Sequence, residues 1–179
     1  MPDCERRHTM KIRRYVLTGA PGAGKTTLAD ALRRRGHHVV PEAATDVVTR
    51  FRAAGIDDPE HTAAFIAEIL REQQHRAAAA AGEAMQIHDR SPVCTVALAR
   101  WLGHPEPEVD DTAYERNVFL VQPLGFLTRT AVRRISYPDS LRFAAVHAEV
   151  YRERGFTLID VPAAPVADRV ALVEAALAR

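Results

Sequence analysis

Gly19, Gly24, Lys25 and Thr26 fall at G-x-x-x-x-G-K-T spacing within the run Gly19-Ala20-Pro21-Gly22-Ala23-Gly24-Lys25-Thr26-Thr27. This is the spacing of a loop that wraps phosphates. Each residue type has its own reason. Small residues let successive backbone N–H groups turn inward, and a Cβ at Gly22 or Gly24 would obstruct an approaching anion. A helix opening at Lys25 adds unpaired N–H groups and the positive end of its dipole. Lys25 supplies a point charge to the β- and γ-phosphates, and the Thr26 hydroxyl is placed to ligate Mg²⁺. The stretch Ala20, Pro21, Gly22, Ala23, Gly24, Lys25, Thr26 and Thr27 is therefore expected to hold a nucleoside triphosphate.

Other groups could act on that triphosphate. Asp89 follows an apolar-polar run, Met85-Gln-Ile-His-Asp. It is either a second Mg²⁺ group, acting directly or through water, or a helix N-cap that steadies Ser91-Pro92. Glu42 stands just after Pro41. It either accepts a proton from an attacking hydroxyl, as a positioned general base must, or caps the segment 43–49. Arg129, Arg133 and Arg134 form a cationic stretch suited either to charge spread over a transferred phosphoryl group or to the polar face of a surface helix. Arg133 is the catalytic candidate and Arg129 a nucleotide contact. The small apolar residues Ala163 and Pro165 are candidates to cover the nucleobase. No Asn-Lys-x-Asp base-reading signature follows the fourth strand, which runs into Gln122-Pro-Leu-Gly. That favours ATP and leaves GTP open.

The elements that must carry these residues alternate. Strands are expected at Lys11–Thr18, His37–Val40, Ala84–Asp89, Val118–Val121 and Thr157–Val161. Helices are expected from Lys25 to a stop at Gly36, over Thr45–Ala54, from an Asp58 cap with Pro59 at its first position on to Gly82, and from Ser91 to Leu102. A further helix opens with the capping box Ser136-x-x-Asp139, and a last one follows Pro162. Such alternation implies α/β architecture with a parallel sheet and helices on both faces. In that architecture ligands gather outside the carboxyl ends of the strands, which brings Gly19–Thr27, Glu42, Asp89-Arg90, Gln122–Gly125 and Val161–Pro165 to one edge.

The chain has 179 residues, 47% hydrophobic and 26% charged, with a formal charge of +1. This suits one soluble domain over 11–179, behind a polar leader at 1–10 that is expected to be disordered and in which Met10 is an alternative start. Balanced charge disfavours nucleic acid as a partner. No apolar run reaches the roughly 18 residues needed to span a bilayer, so a cytoplasmic location is expected and no membrane partner. Two cysteines, Cys4 and Cys94, do not make a disulfide framework. The eight histidines form no metal-ligand pattern; His147, one turn after Phe143, reads as a residue at the core's edge, and Trp101 as a packing residue.

With these residues in view, the chain resembles a family of small AAA-type P-loop ATPase domains that includes the ribosylnicotinamide kinase domain of the NAD regulatory protein. The matching stretches are Leu17–Leu28, Val39-Val-Pro-Glu-Ala-Ala44, His88-Asp-Arg-Ser91, Arg133–Ser136 and Tyr151–Pro162. Deoxynucleoside kinases are similar at Glu42 and at Asp89-Arg90-Ser91, with Pro before Glu42 instead of after it. The resemblance implies a P-loop NTPase three-layer α/β/α sandwich with a five-stranded parallel sheet, of nucleoside- and nucleotide-kinase type. It also implies an ATP- and Mg²⁺-dependent kinase acting on a small-molecule hydroxyl. Lys25 and Arg133 would then stabilise the phosphoryl group, Thr26 and Asp89 hold the metal, Glu42 take the proton and Arg90 orient acceptor or phosphate. The alternatives are a nucleotide switch working through a protein partner and, last, a nucleic-acid-end kinase. The oligomeric state is not legible.

Overall fold

The computed structural model describes residues 12–125 and 135–179. β1 (Arg13–Thr18) buries its last four residues completely or nearly so, which places it at the centre of a sheet. It pairs in parallel with β3 (Met85–Asp89) on one side and β4 (Asn117–Val121) on the other. β2 (Val39–Val40) and β5 (Thr157–Val161) flank these, giving five strands in the order β2-β3-β1-β4-β5, every pair parallel. The alternation of a strand sends Tyr15 and Leu17 to one face and Val16 to the other.

Two cores follow from that alternation. Tyr15, Leu17, Ile87, Phe119 and Val161 pack under α1 (Lys25–Arg34) and α6 (Val166–Leu177), through Leu28, Leu32, Val170 and Val173. On the opposite face Val16 and Val118 meet α4 (Pro92–Leu102) and α5 (Tyr137–Glu153), through Val93, Val96, Val150 and Tyr151. The three-layer α/β/α sandwich with a five-stranded parallel sheet is thus observed. A third apolar cluster stands off the sheet. Val47 and Val48 of α2 (Ala44–Ala53) and Phe65, Ile66 and Ile69 of α3 (Phe65–Ala79) close on Ala99 of α4. Those helices form one wall of a cleft at the carboxyl ends of β2, β3 and β1.

The elements differ from expectation in three places. His37 and His38 are not in β2; His37 leaves the sheet's edge to bond Glu174 of α6 at 3.0 Å. The helix expected from Asp58 to Gly82 is two pieces. A 3-10 turn over Pro59–His61 is broken by extended Thr62, whose hydroxyl donates to the Pro59 carbonyl at 2.7 Å, and α3 restarts at Phe65. Asp58 makes no side-chain cap there. The capping box at α5 forms as expected, with the Asp139 N–H donating to Ser136 Oγ at 3.2 Å. Among the described residues no helix is long and apolar enough to cross a membrane.

Candidate active site

The loop between β1 and α1 has the shape its glycines allow. Gly19 holds φ +131°, and a Cβ there would lie 2.4 Å from the Val121 carbonyl oxygen. Gly24, at the N-cap of α1, holds φ +80° with the Arg169 guanidinium and Leu124 against it. Ala20 and Ala23 are fully buried and do not line the cleft. Thr26 and Thr27 are exposed and line the cleft, together with Pro21 and Gly22.

Lys25 is 6% exposed and curls back over the loop, donating to the Gly19 and Ala20 carbonyls at 3.0 and 2.7 Å. Burial, reinforced by the Arg90 charge, brings its ammonium from 10.5 to about 7 against the pull of Asp89 and Glu42. The loop is braced from behind by Arg169 of α6. This buried guanidinium donates to the carbonyls of Pro162, Ala23 and Gln122 at 2.8, 2.7 and 2.6 Å, which ties the loop to the ends of β5 and β4. Nothing in the sequence marked Arg169. Its position in the first turn of a surface-type helix hides the fact that it points inward.

Across the cleft, Glu42, Asp89 and Arg90 converge. Glu42 Oε1 accepts from Arg90 Nε at 2.6 Å, and Oε2 accepts from the Thr45 hydroxyl at 2.9 Å. Burial works to raise the Glu42 carboxyl, but the Arg90 and Lys25 charges and these two hydrogen bonds outweigh it and hold it below the ordinary carboxylate range. The N-cap position of α2 is Ala43, and no side chain caps that helix. The capping alternative for Glu42 therefore does not describe what its carboxylate does. Arg76 of α3 fixes the Glu42 backbone, donating to its carbonyl at 2.5 Å while pairing with Glu72 and Asp46.

Asp89 is buried, and its Oδ1 has no hydrogen-bond partner. Burial raises its carboxyl, with Lys25 pulling the other way. The N-cap of α4 is Ser91, so Asp89 does not cap it either. A buried carboxylate oxygen without a partner, on a residue that lines the cleft, is a feature that calls for a ligand. Arg90 adopts φ +75°, the one positive φ outside glycine among the described residues. An L-residue there carries strain of roughly 1–2 kcal/mol. It is held by its N–H to the Leu17 carbonyl, by Glu42 and by His147, whose Nε2 lies 3.0 Å from Arg90 Nη1.

The cleft has a volume of about 860 Å³ and continues past Glu42 between Val48, Phe65, Ile69, Leu98 and the Trp101–Phe143 pair. Those two rings stack with centroids 5.3 Å apart. Trp101 therefore packs as expected and also forms part of the cleft wall. Cys94 lines the cleft and is bonded from behind: the Tyr151 hydroxyl lies 2.7 Å from Ser91 Oγ and 3.2 Å from Cys94 Sγ, which is 3.3 Å from Thr18 Oγ1. This chain docks α5 against α4 and β1.

The structure thus gathers the loop residues, Glu42, Asp89 and Arg90 around one cleft. Ala163 and Pro165 stay at the same sheet edge but line no part of it; Pro165 is the N-cap residue of α6. Arg129, Arg133 and Arg134 lie outside the described residues. The sequence reading missed Thr45, Arg76 and Arg169, and it placed His147 at the core's edge when His147 bonds a cleft residue. Only His147 carried a signal, its one-turn spacing from Phe143.

A parallel sheet in this order, with a glycine-rich loop between its central strand and the next helix, defines a P-loop α/β protein of kinase-like fold. More narrowly, the chain belongs to the AAA domain family, whose model matches residues 14–169. No match was found among curated protein sequences. Among solved structures, deoxyadenosine kinase from M. mycoides with bound dATP superposes with TM-score 0.67 at 14% identity, covering 93% of this chain and all of that one. The same kinase with products dCMP and dCDP gives 0.66 at 15%, covering 92% and 98%. NadR protein in complex with NR gives 0.63 at 18%, covering 84% of this chain and 44% of that one.

Proposed function

We propose that the protein is a P-loop phosphotransferase that moves the γ-phosphate of ATP to a hydroxyl of a small, nucleoside-like molecule. The observation that carries this reading is the Glu42–Arg90 pair facing the loop across a shared cleft, with Glu42 held as a carboxylate. An ionised acid beside an apolar chamber is placed to take a proton from a bound acceptor. The deoxyadenosine kinase and NadR likenesses agree with it at the level of fold.

The triphosphate would lie along Gly19–Thr27, its charge met by the loop N–H groups and by Lys25, which leaves the Gly19 and Ala20 carbonyls to reach it. The acceptor would lie between Val48, Phe65 and the Trp101–Phe143 stack, its hydroxyl toward Glu42. Glu42 takes the hydroxyl proton as the acceptor oxygen bonds to the γ-phosphorus, and the bond from that phosphorus to the β–γ bridging oxygen breaks, releasing ADP. Arg90 keeps Glu42 ionised and oriented, and Arg133 and Arg129 are proposed to add charge from the segment after β4. The unpartnered Asp89 Oδ1 and the exposed Thr26 fit a cation, and these two residues would hold Mg²⁺. Bound there, Mg²⁺ would neutralise phosphate charge. ATP is favoured over GTP by the missing base-reading signature.

Incubating the protein with MgATP and a pooled set of hydroxyl-bearing metabolites tests the reading. Mass spectrometry should show one or more species gaining a phosphate, absent with Lys25→Ala. No phosphate gain on any acceptor, with nucleotide tightly bound, would instead support a switch.

A further inference from the structure

We propose that His147 is a positioning residue for phosphoryl transfer: as a neutral acceptor it fixes the Arg90 guanidinium so that Arg90 presents its Nε–H to Glu42. The inference rests on Glu42 acting as the base. It goes beyond that reading by giving a role to a residue on a different helix, 57 positions from Arg90.

The hydrogen bonds determine the histidine's state. Arg90 carries only donors, so the His147 Nε2 that faces Nη1 at 3.0 Å must offer a lone pair. Its Nδ1 faces the Phe143 carbonyl at 2.9 Å and must carry the proton. Both ring nitrogens are accounted for, and the ring is neutral. His147 is fully buried, and burial, followed by the Arg90 charge, holds its basicity well below the usual histidine value. A cation here would stand against Arg90, with Lys25 also near.

Geometry makes this contact consequential. Arg90 sits at a strained φ of +75° on the link between β3 and α4, so its side-chain direction is not set by regular backbone. Nε is committed to Glu42 Oε1 and Nη1 to His147, and two bonds at different edges of a planar group fix its orientation. Without His147 the guanidinium can rotate about its bond to Glu42. The His147 ring also packs on Phe143 at 4.3 Å, and Phe143 stacks on Trp101 in the proposed acceptor wall. The residue that orients the acid's partner is thereby seated on the wall that would hold the acceptor.

His147→Phe keeps the ring volume and deletes the acceptor, and His147→Gln keeps an amide oxygen near the Nε2 position. The Phe variant should lose about 10- to 100-fold in kcat while the KM for ATP stays within about 2-fold, and the Gln variant should recover most of that loss. If the Phe variant does not fold, His147→Asn serves in its place, because it can reach Phe143 but not Arg90; it should lose kcat where Gln does not. Unchanged kcat in Phe or Asn, or equal loss in Gln, would overturn the proposal. The Arg90 Nε–H resonance, followed by ¹⁵N NMR, reads the same contact without turnover. It should be a single protected signal in wild type and His147→Gln and exchange-broadened in His147→Phe. A protected signal in all three overturns the positioning role, whereas absent acceptor turnover in wild type overturns the phosphotransferase reading on which the proposal rests and leaves the Arg90 contact to be read from the resonance.

Discussion

The two sides of the cleft are built on opposite plans. The phosphate-loop side is one continuous stretch, Gly19–Thr27, closed on itself by bonds of Lys25 to carbonyls five and six residues back. The opposite side is assembled from parts distant in sequence: Glu42 and Thr45 at the start of α2, Arg76 on α3, Arg90 after β3 and His147 on α5. The first depends on backbone conformation. The second depends on side-chain bonds between elements, each of which can be lost singly. Loop substitutions should therefore act on folding and nucleotide binding, and substitutions opposite should act on turnover.

The largest effect is expected where backbone freedom is spent. Gly19→Ala sets a Cβ 2.4 Å from the Val121 carbonyl oxygen. The melting temperature should fall by about 10 °C or more, at roughly 2–4 °C per kcal/mol for a chain of this size. Gly36→Ala meets nothing within 4 Å and should cost only the left-handed penalty of about 1–2 kcal/mol. Equal losses in the two would remove the contrast on which the loop's account rests.

Next comes the acid and its partner. Glu42 lies below its ordinary 4.5, so it is ionised through the neutral range, and its ion pair adds stability that is lost as pH falls through that lowered value. Turnover should likewise fall on the acid side as Glu42 gains its proton, and on the alkaline side as Lys25, brought to about 7, loses its charge. Arg90→Met removes the main opposing charge and leaves only Lys25 and Thr45 against burial, so the acid limb of kcat/KM should move to higher pH and kcat should drop by about 100-fold. An acid limb that stays in place would show that Arg90 does not tune Glu42.

Smaller effects probe the chamber and its frame. Trp101→Ala opens the stack on Phe143 and should raise the acceptor KM by about 10-fold with the ATP KM unchanged. A change confined to ATP would place the acceptor elsewhere. Ser136→Ala removes the cap of α5 and should cost about 1 kcal/mol, read as a melting shift of a few degrees.

The same contrast explains what could be read from the sequence. The alternation of strands and helices was legible because β1 and β4 carry apolar runs and several helices end at a glycine, as at Gly36, Gly103 and Gly155. The loop was legible because its chemistry is local in the chain. Glu42, Asp89 and Arg90 were reached through the rule that ligands gather at strand ends, yet nothing local distinguished a cap from an acid facing the cleft. Contacts across 48 or 57 residues decided that. His147 and Arg169 are buried polar residues on amphipathic helices, where periodicity shows a face but not the bond that a polar side chain makes on it. The break at Thr62 escaped notice because an Asp-Pro-Glu start predicts a helix and does not say how soon it ends.

One substitution tests the division of labour directly. Glu42→Gln is nearly isosteric, cannot accept the hydroxyl proton, and leaves Gly19–Thr27 untouched. Titration calorimetry with MgATP should give a Kd within about 3-fold of wild type, while acceptor phosphorylation falls by about 1000-fold. Undiminished phosphorylation, or a loss of ATP binding that accounts for the loss of product, would contradict the account.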